Sequence, residues 1–323
     1  MKREPLGPGG WLLRLAGLLV LGLALGLAAF RAPERPLESL VARWAPPPSD
    51  FLDLDGQLVH YRDEGPRADP RPLLLLHGTG SSLHTWEGWA AALRAEGRRV
   101  ITLDLPGFGL TGPSADGDYR EAAYLDFLRR LLDRLQLPQV VLGGNSSGGQ
   151  LAWRFAAEEP ARVAALVLVD PAGQPWPGGV EPTALRLARL PGLELIASGL
   201  LPRRVVEQQL REAYGVPARL RAEVVDRHFE LTLREGNRAA LVQALRQQRP
   251  GQHLEQLGTL RQPTLILWGG RDRLLPPAQG EAFARAIPGS RLQVFEPLGH
   301  LPQEEDPATT VAALQQFLHS LKP

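Results

Sequence analysis

From about residue 50 onward, short apolar runs alternate with longer stretches whose apolar positions recur at helical spacing. Residues 51–54 and 58–62 flank the turn dipeptide Asp55-Gly56 and predict an antiparallel hairpin. Residues 71–76, 99–103, 140–143, 163–169, 263–268 and 292–295 are nearly continuous apolar runs, the pattern of strands buried on both faces. Between them, residues 83–96, 121–137 and 148–158 read as amphipathic helices, and residues 308–321 as a closing one. Strand and helix in alternation predict the α/β class, with a mostly parallel sheet covered by helices on both faces. After Asp170 the alternation stops. Residues 183–190, 203–213, 217–232 and 238–248 read as helices with no strand among them, so residues 171–262 are expected to form a helical insertion in a core of residues 50–170 and 263–323.

Ahead of the core, residues 11–30 are apolar except for Arg14. At ~1.5 Å per helical residue they reach roughly 30 Å, the thickness of a bilayer core. Residues 1–30 are therefore expected to be an N-terminal transmembrane anchor, with a cleaved signal segment as the competing reading. Arg14 can carry its charge back to the head groups on its long stem. Lys2, Arg3 and Arg14 are matched by Arg31, Arg35 and Arg43 after the span, so charge does not orient it. The short N-terminal tail favours a single pass through the inner membrane, with the folded domain periplasmic or extracellular. Residues 31–49, with Pro33, Pro36 and Pro46-Pro47-Pro48, read as a stiff extended tether.

Composition narrows the field further. A formal charge of +1 with no concentrated basic run removes the electrostatic footprint of nucleic-acid binding. The chain has no cysteine, which excludes disulfides, thiolate metal sites and a cysteine nucleophile. His84, His228 and His253 show no metal-ligand spacing, and no cofactor or metal is expected.

The candidate chemistry centres on Ser146. It stands in Gly144-Asn145-Ser146-Ser147-Gly148-Gly149, directly after the apolar run Val140-Val141-Leu142. A serine forced into a sharp strand-to-helix turn needs small residues two before and two after it, and Gly144 and Gly148 meet that demand. The next amide, that of Ser147, would lie at a helix N-terminus where an oxyanion could form. An activated serine also needs a base and a carboxylate to orient it, placed on loops after later strands. Asp272 follows one such strand in Gly269-Gly270-Arg271-Asp272, and His300 follows the next in Pro297-Leu298-Gly299-His300. His319 falls in the terminal helix and reads as a surface residue.

His77-Gly78-Thr79-Gly80, Asp104-Leu105-Pro106-Gly107-Phe108-Gly109, the Ser146 hexapeptide, the Asp272 tetrapeptide and Gly299-His300 occur in that order. Over residues 50–320 the chain resembles the α/β-hydrolase superfamily, in particular serine esterases with a helical cap. The resemblance implies Ser146 as nucleophile, Asp272 as acid, His300 as base, and the amides of Thr79 and Ser147 as oxyanion hole, acting on a small-molecule carboxylic ester through an acyl-enzyme. It leaves Asp170, at an earlier strand end, as a rival acid. His77 and Asp104 are expected to brace loops. Trp176, Leu200, Tyr214 and Phe229 are expected to line the cap's inner face. Hydrolysis of a carbon–carbon bond on the same fold is an alternative, as is a membrane-tethered binding protein without catalysis.

Overall fold

The computed structural model describes residues 8–176, 186, 190, 192 and 199–321. Eight strands form one sheet in the order β1-β2-β4-β3-β5-β6-β7-β8. They are β1 (Ser49–Leu54), β2 (Gln57–Glu64), β3 (Leu73–Leu76), β4 (Val100–Leu103), β5 (Val140–Asn145), β6 (Val163–Val169), β7 (Thr264–Gly269) and β8 (Arg291–Phe295). β1 and β2 form the expected hairpin around Asp55-Gly56, and β2 pairs antiparallel with β4. The remaining five pairings are parallel.

Period-two alternation sorts the strand residues into two apolar layers. Leu74, Leu76, Ile101, Leu103, Leu142, Leu166, Leu168, Ile266 and Trp268 pack on one face. Their neighbours Leu73, Leu75, Val100, Val141, Val167, Val169, Leu265 and Leu267 pack on the other. Helices cover both layers, which explains why these strands read as continuous apolar runs rather than alternating ones. The helices are α1 (Pro8–Phe30), α2 (Glu38–Trp44), α3 (Glu87–Ala95), α4 (Glu121–Arg134), α5 (Ser147–Glu158), α6 (Arg203–Ala213), α7 (Ala222–Thr232), α8 (Asn237–Gln247), α9 (Pro277–Ala286), α10 (Pro302–Glu305) and α11 (Pro307–Ser320).

In the insertion, α6, α7 and α8 are the described helices. The expected helix at 183–190 lies outside the described residues apart from Arg186 and Leu190. The expected helix at 217–232 is broken: Pro217 opens a short 3₁₀ turn to Arg219, and α7 begins only at Ala222. Val206, Leu210, Ala213, Tyr214, Val224 and Val225 form a small core of their own, closed by Leu301 of the main domain.

The extended tether expected over residues 31–49 needs correction. Residues 38–44 are helical, with Leu40 and Trp44 buried one turn apart on the same face. The segment is stitched to the cap: Ala32 N donates to Gly199 O at 3.0 Å and Arg35 N to Leu233 O at 2.7 Å, and Trp44 Nε1 donates to Glu230 Oε2 at 2.8 Å. α1 is continuous over 23 residues. Eleven of its side chains fall outside the described set, and among the described residues no helix is long and apolar enough to cross a membrane.

Candidate active site

β5 runs straight into α5, and Ser146 makes the turn between them at φ +54°, ψ −120°. Such a backbone conformation is strained for a residue with a Cβ and persists only where its surroundings enforce it. Here Ser146 N donates to Val169 O at 3.0 Å, while Ser146 O accepts from Gln150 N and Ala172 N. The small flanking residues are required by contact. A Cβ on Gly144 would come within 2.3 Å of the Gly148 backbone, and one on Gly148 within 2.4 Å of Leu76 O. Ser146 is half-buried, and among the described residues its hydroxyl makes no hydrogen bond.

The loops after β7 and β8 bring Asp272 and His300 into direct contact, with His300 Nδ1 and Asp272 Oδ2 2.6 Å apart. Asp272 Oδ1 accepts from the amides of Leu274 and Leu275 at 2.8 and 2.9 Å. The carboxylate is buried, so these donors replace water and fix its orientation. Asp170 adds a third titratable group: one ligand atom from each of Asp170, Asp272 and His300 lies within 4.8 Å of the others. The direct bond between Asp272 and His300 leaves no room for an ion between them.

Three contacts pin His300 from outside the pair. Asn145 Nδ2, on the residue before Ser146, donates to His300 O at 3.0 Å. His300 N donates to Ala213 O at 2.7 Å. Glu305 accepts from Gly299 N at 2.8 Å and, through the same carboxylate, from the cap amides of Gly215 and Val216. Sequence reasoning missed Asn145 and Glu305. A buried polar residue ending an otherwise apolar strand was the one available signal for Asn145; nothing local marked Glu305.

Thr79 and Ser147 meet through their side chains, Thr79 Oγ1 donating to Ser147 Oγ at 2.9 Å. Among the described residues neither of their backbone amides is engaged, and that of Ser147 opens α5, where N–H groups have no partner within the helix. Gly78 abuts the turn, since a Cβ there would stand 3.0 Å from Ser146 Cβ. His77 braces this loop as expected. Its Nδ1 bonds Gly78 O at 2.8 Å and its Nε2 accepts from Leu105 N at 2.9 Å, which sets the tautomer. Burial lowers the His77 pKa, keeping the ring neutral. Asp104 ties down the neighbouring loop by accepting from the amides of Leu83 and Leu110, both at 2.7 Å. It also pairs with His60, a partner the sequence did not suggest. Burial alone would raise the Asp104 pKa, but the neighbouring histidines, His60 foremost, together hold the carboxyl below its usual range.

Against this floor lie α7 and α8 of the insertion. A small cavity lined by Gly80, Ser81, Phe108, Leu231, Asn237 and Leu241 separates the Thr79 loop from α7 and α8. His228 of α7 reaches Gly80 O at 3.3 Å, and burial lowers its pKa to about 4. Tyr214 does not line an open pocket; it is buried in the cap base with its hydroxyl donating to Glu304 at 3.1 Å. Trp176, Leu200 and Phe229 are partly buried. A larger groove of about 670 Å³ lies at the opposite end of the sheet, among Arg71, Val163, Arg261 and Arg291. Ligands of open parallel sheets sit at the carboxyl ends of the strands, so that groove is not where the candidate chemistry lies.

The family profile of the α/β hydrolase fold matches residues 71–307. The chain belongs to this family. It is 33% identical over 299 residues to an uncharacterized protein of Mycobacterium tuberculosis, covering 86% of this chain and 83% of that one. It is 31% identical over 266 residues to a 2-hydroxy-6-oxononadienedioate/2-hydroxy-6-oxononatrienedioate hydrolase of Pseudomonas putida, covering 78% and 88%. Among solved structures it resembles a thermophilic esterase from Thermogutta terrifontis, with TM-score 0.69 and 29% identity over 85% of this chain and 99% of that one.

Proposed function

We propose that this α/β hydrolase is a serine hydrolase that cleaves carboxylic esters of small molecules. The observation that carries the reading is the 2.6 Å contact of His300 with Asp272, anchored through Asn145 to the turn that presents Ser146. In this reading Asp272 accepts a hydrogen bond from His300 Nδ1–H and leaves Nε2 as the base. His300 takes the Ser146 proton, and the serine attacks the ester carbonyl. The free amides of Thr79 and Ser147 hold the tetrahedral oxyanion, each supplying ~3 kcal/mol. His300 then protonates the leaving alcohol, and water, activated in the same way, releases the acyl group. Ser146→Ala is expected to abolish labelling by a fluorophosphonate probe and to reduce turnover of p-nitrophenyl esters by roughly five to six orders of magnitude. A folded variant labelled as strongly as the wild type would refute the assignment.

A second reading, carbon–carbon bond hydrolysis, is favoured by the Pseudomonas putida relative. The Thr79 loop lacks the proline and the position after His300 lacks the aromatic residue common in such enzymes, having Gly80-Ser81 and Leu301 instead. Ester hydrolysis is therefore preferred. Parallel assays with an ester series and a dienoic keto acid separate the two.

We further infer that residues 1–30 anchor the protein in a membrane, with the catalytic domain outside the cytoplasm. Arg14 is the only charged residue in α1. Its described large apolar side chains, from Trp11 to Phe30, are 52% to 73% exposed, so the folded domain does not cover them.

A further inference from the structure

Behind the Asp272 and His300 pair stands a carboxyl that the proposed reaction does not use. Asp170 directly follows β6, is completely buried, and adopts φ +42°. Its Oδ1 accepts from Gly269 N at 2.9 Å, at the end of β7. Its Oδ2 is equally buried and has no hydrogen-bond partner. An ionised carboxylate with one oxygen stranded in this way would forfeit its hydration for nothing in return. A neutral acid has no such defect, because Asp272 stands close enough to share a side-chain hydrogen bond with it.

We propose that Asp170 is a positioning residue of the active site: a neutral carboxylic acid that donates a hydrogen bond to the Asp272 carboxylate and holds it aimed at His300. The titratable groups that face it are Asp272 after β7, His300 after β8 and Glu305 of α10. Burial raises its pKa well above the ordinary carboxylate range, and the negative charges of Asp272 and Glu305 act in the same direction. Two carboxyls sharing one proton present a single negative charge to the imidazolium that forms during catalysis. The arrangement also decides between the two candidate acids. Asp272 holds the ring nitrogen, and Asp170 holds Asp272.

This inference rests on the serine hydrolase reading, and its test keeps the two apart. Asp170→Ala removes the donor and is expected to lower kcat about 10-fold or more with KM nearly unchanged, less than the roughly 10⁴ expected for Asp272→Asn. The acid limb of kcat/KM should move to higher pH, because Asp272 without its donor stabilises the imidazolium more strongly. Asp170→Asn keeps a donor in place and should restore kcat and the pH profile. Difference infrared spectra should show the carbonyl band of a protonated carboxyl at neutral pH in the wild type and not in Asp170→Asn, a readout that survives if the alanine variant does not fold. Loss of activity in Asp170→Asn matching that of Asp272→Asn would overturn the proposal, as would a fully active Asp170→Ala with an unchanged profile, or absence of the band. Turnover that persists in Ser146→Ala would instead sink the hydrolase reading, while the infrared band would still report on the proton.

Discussion

Each proposed oxyanion donor is a backbone amide, and the side chains of the same two residues are joined by a hydrogen bond. Thr79 Oγ1 bonds Ser147 Oγ at 2.9 Å, and Gln248 at the end of α8 approaches Thr79 Oγ1 at 3.4 Å. Thr79→Val keeps the shape and deletes the hydroxyl. It is expected to cut kcat about 10-fold with little change in KM, less than the 10²–10³ that attends loss of a whole donor, and Thr79→Ser should recover the loss. Wild-type kcat in the valine variant, measured on a p-nitrophenyl ester, would show that the amides need no such brace. The candidates Ser146, Asp272 and His300 could be picked out in sequence because each lies within a few residues of the end of an apolar run, where a parallel sheet delivers side chains to one edge. Asn145 and Glu305 were not. Asn145 reaches His300 across 155 residues and Glu305 reaches Gly215 across 90, and no local spacing encodes such contacts.

At the scale of elements, a buried polar lock joins the cap to the helix after His300. Arg227 of α7 meets Glu304 of α10 at 2.7 Å, with less than a tenth of either side chain exposed. Glu304 also accepts from Tyr214. Truncating one partner strands a buried charge, so Arg227→Met should destabilise the fold by about 3–5 kcal/mol. Arg227→Met combined with Glu304→Gln strands no charge and keeps an acceptor for Tyr214, and should regain most of that loss in urea unfolding. A double variant no more stable than the single one would mean that packing of the arginine stem, not its charge, secures the cap. The cap's helices were readable from their apolar spacing, but their boundaries were not. Pro217 belongs to a separate turn ahead of α7, and α9 carries little sequence signal because Pro-Ala-Gln-Gly-Glu-Ala-Phe-Ala-Arg-Ala contributes only one large apolar residue.

For the molecule as a whole, the misread tether changes what the N-terminal region does. Its prolines suggested a spacer, but the spacing of Leu40 and Trp44 carries the opposite message once a bed exists for them. That bed is Leu110 of the core and Leu231 of the cap. Glu230 gathers Arg35, Arg43 and Trp44 onto α7, and His84 Nε2 bonds Trp44 O at 2.8 Å from the loop beyond Thr79. The segment from Ala32 to Ala45 is thus part of the fold, whereas α1 leaves its described apolar side chains uncovered. Two truncations separate these roles. Removing residues 1–30 should release the protein from the membrane fraction without detergent and leave Tm and ester turnover unchanged. Removing residues 1–45 should also uncover Leu231 and Leu110 and forfeit the burial of Leu40 and Trp44, at ~1.5–3 kcal/mol per side chain, lowering Tm on the order of 5–10 °C. A full-length chain already free in the soluble fraction would remove the anchor from this picture, and equal Tm for the two truncations would remove the strap. The two outcomes are independent because the chain passes from an uncovered apolar helix to a cap-bonded segment within two residues, between Phe30 and Ala32.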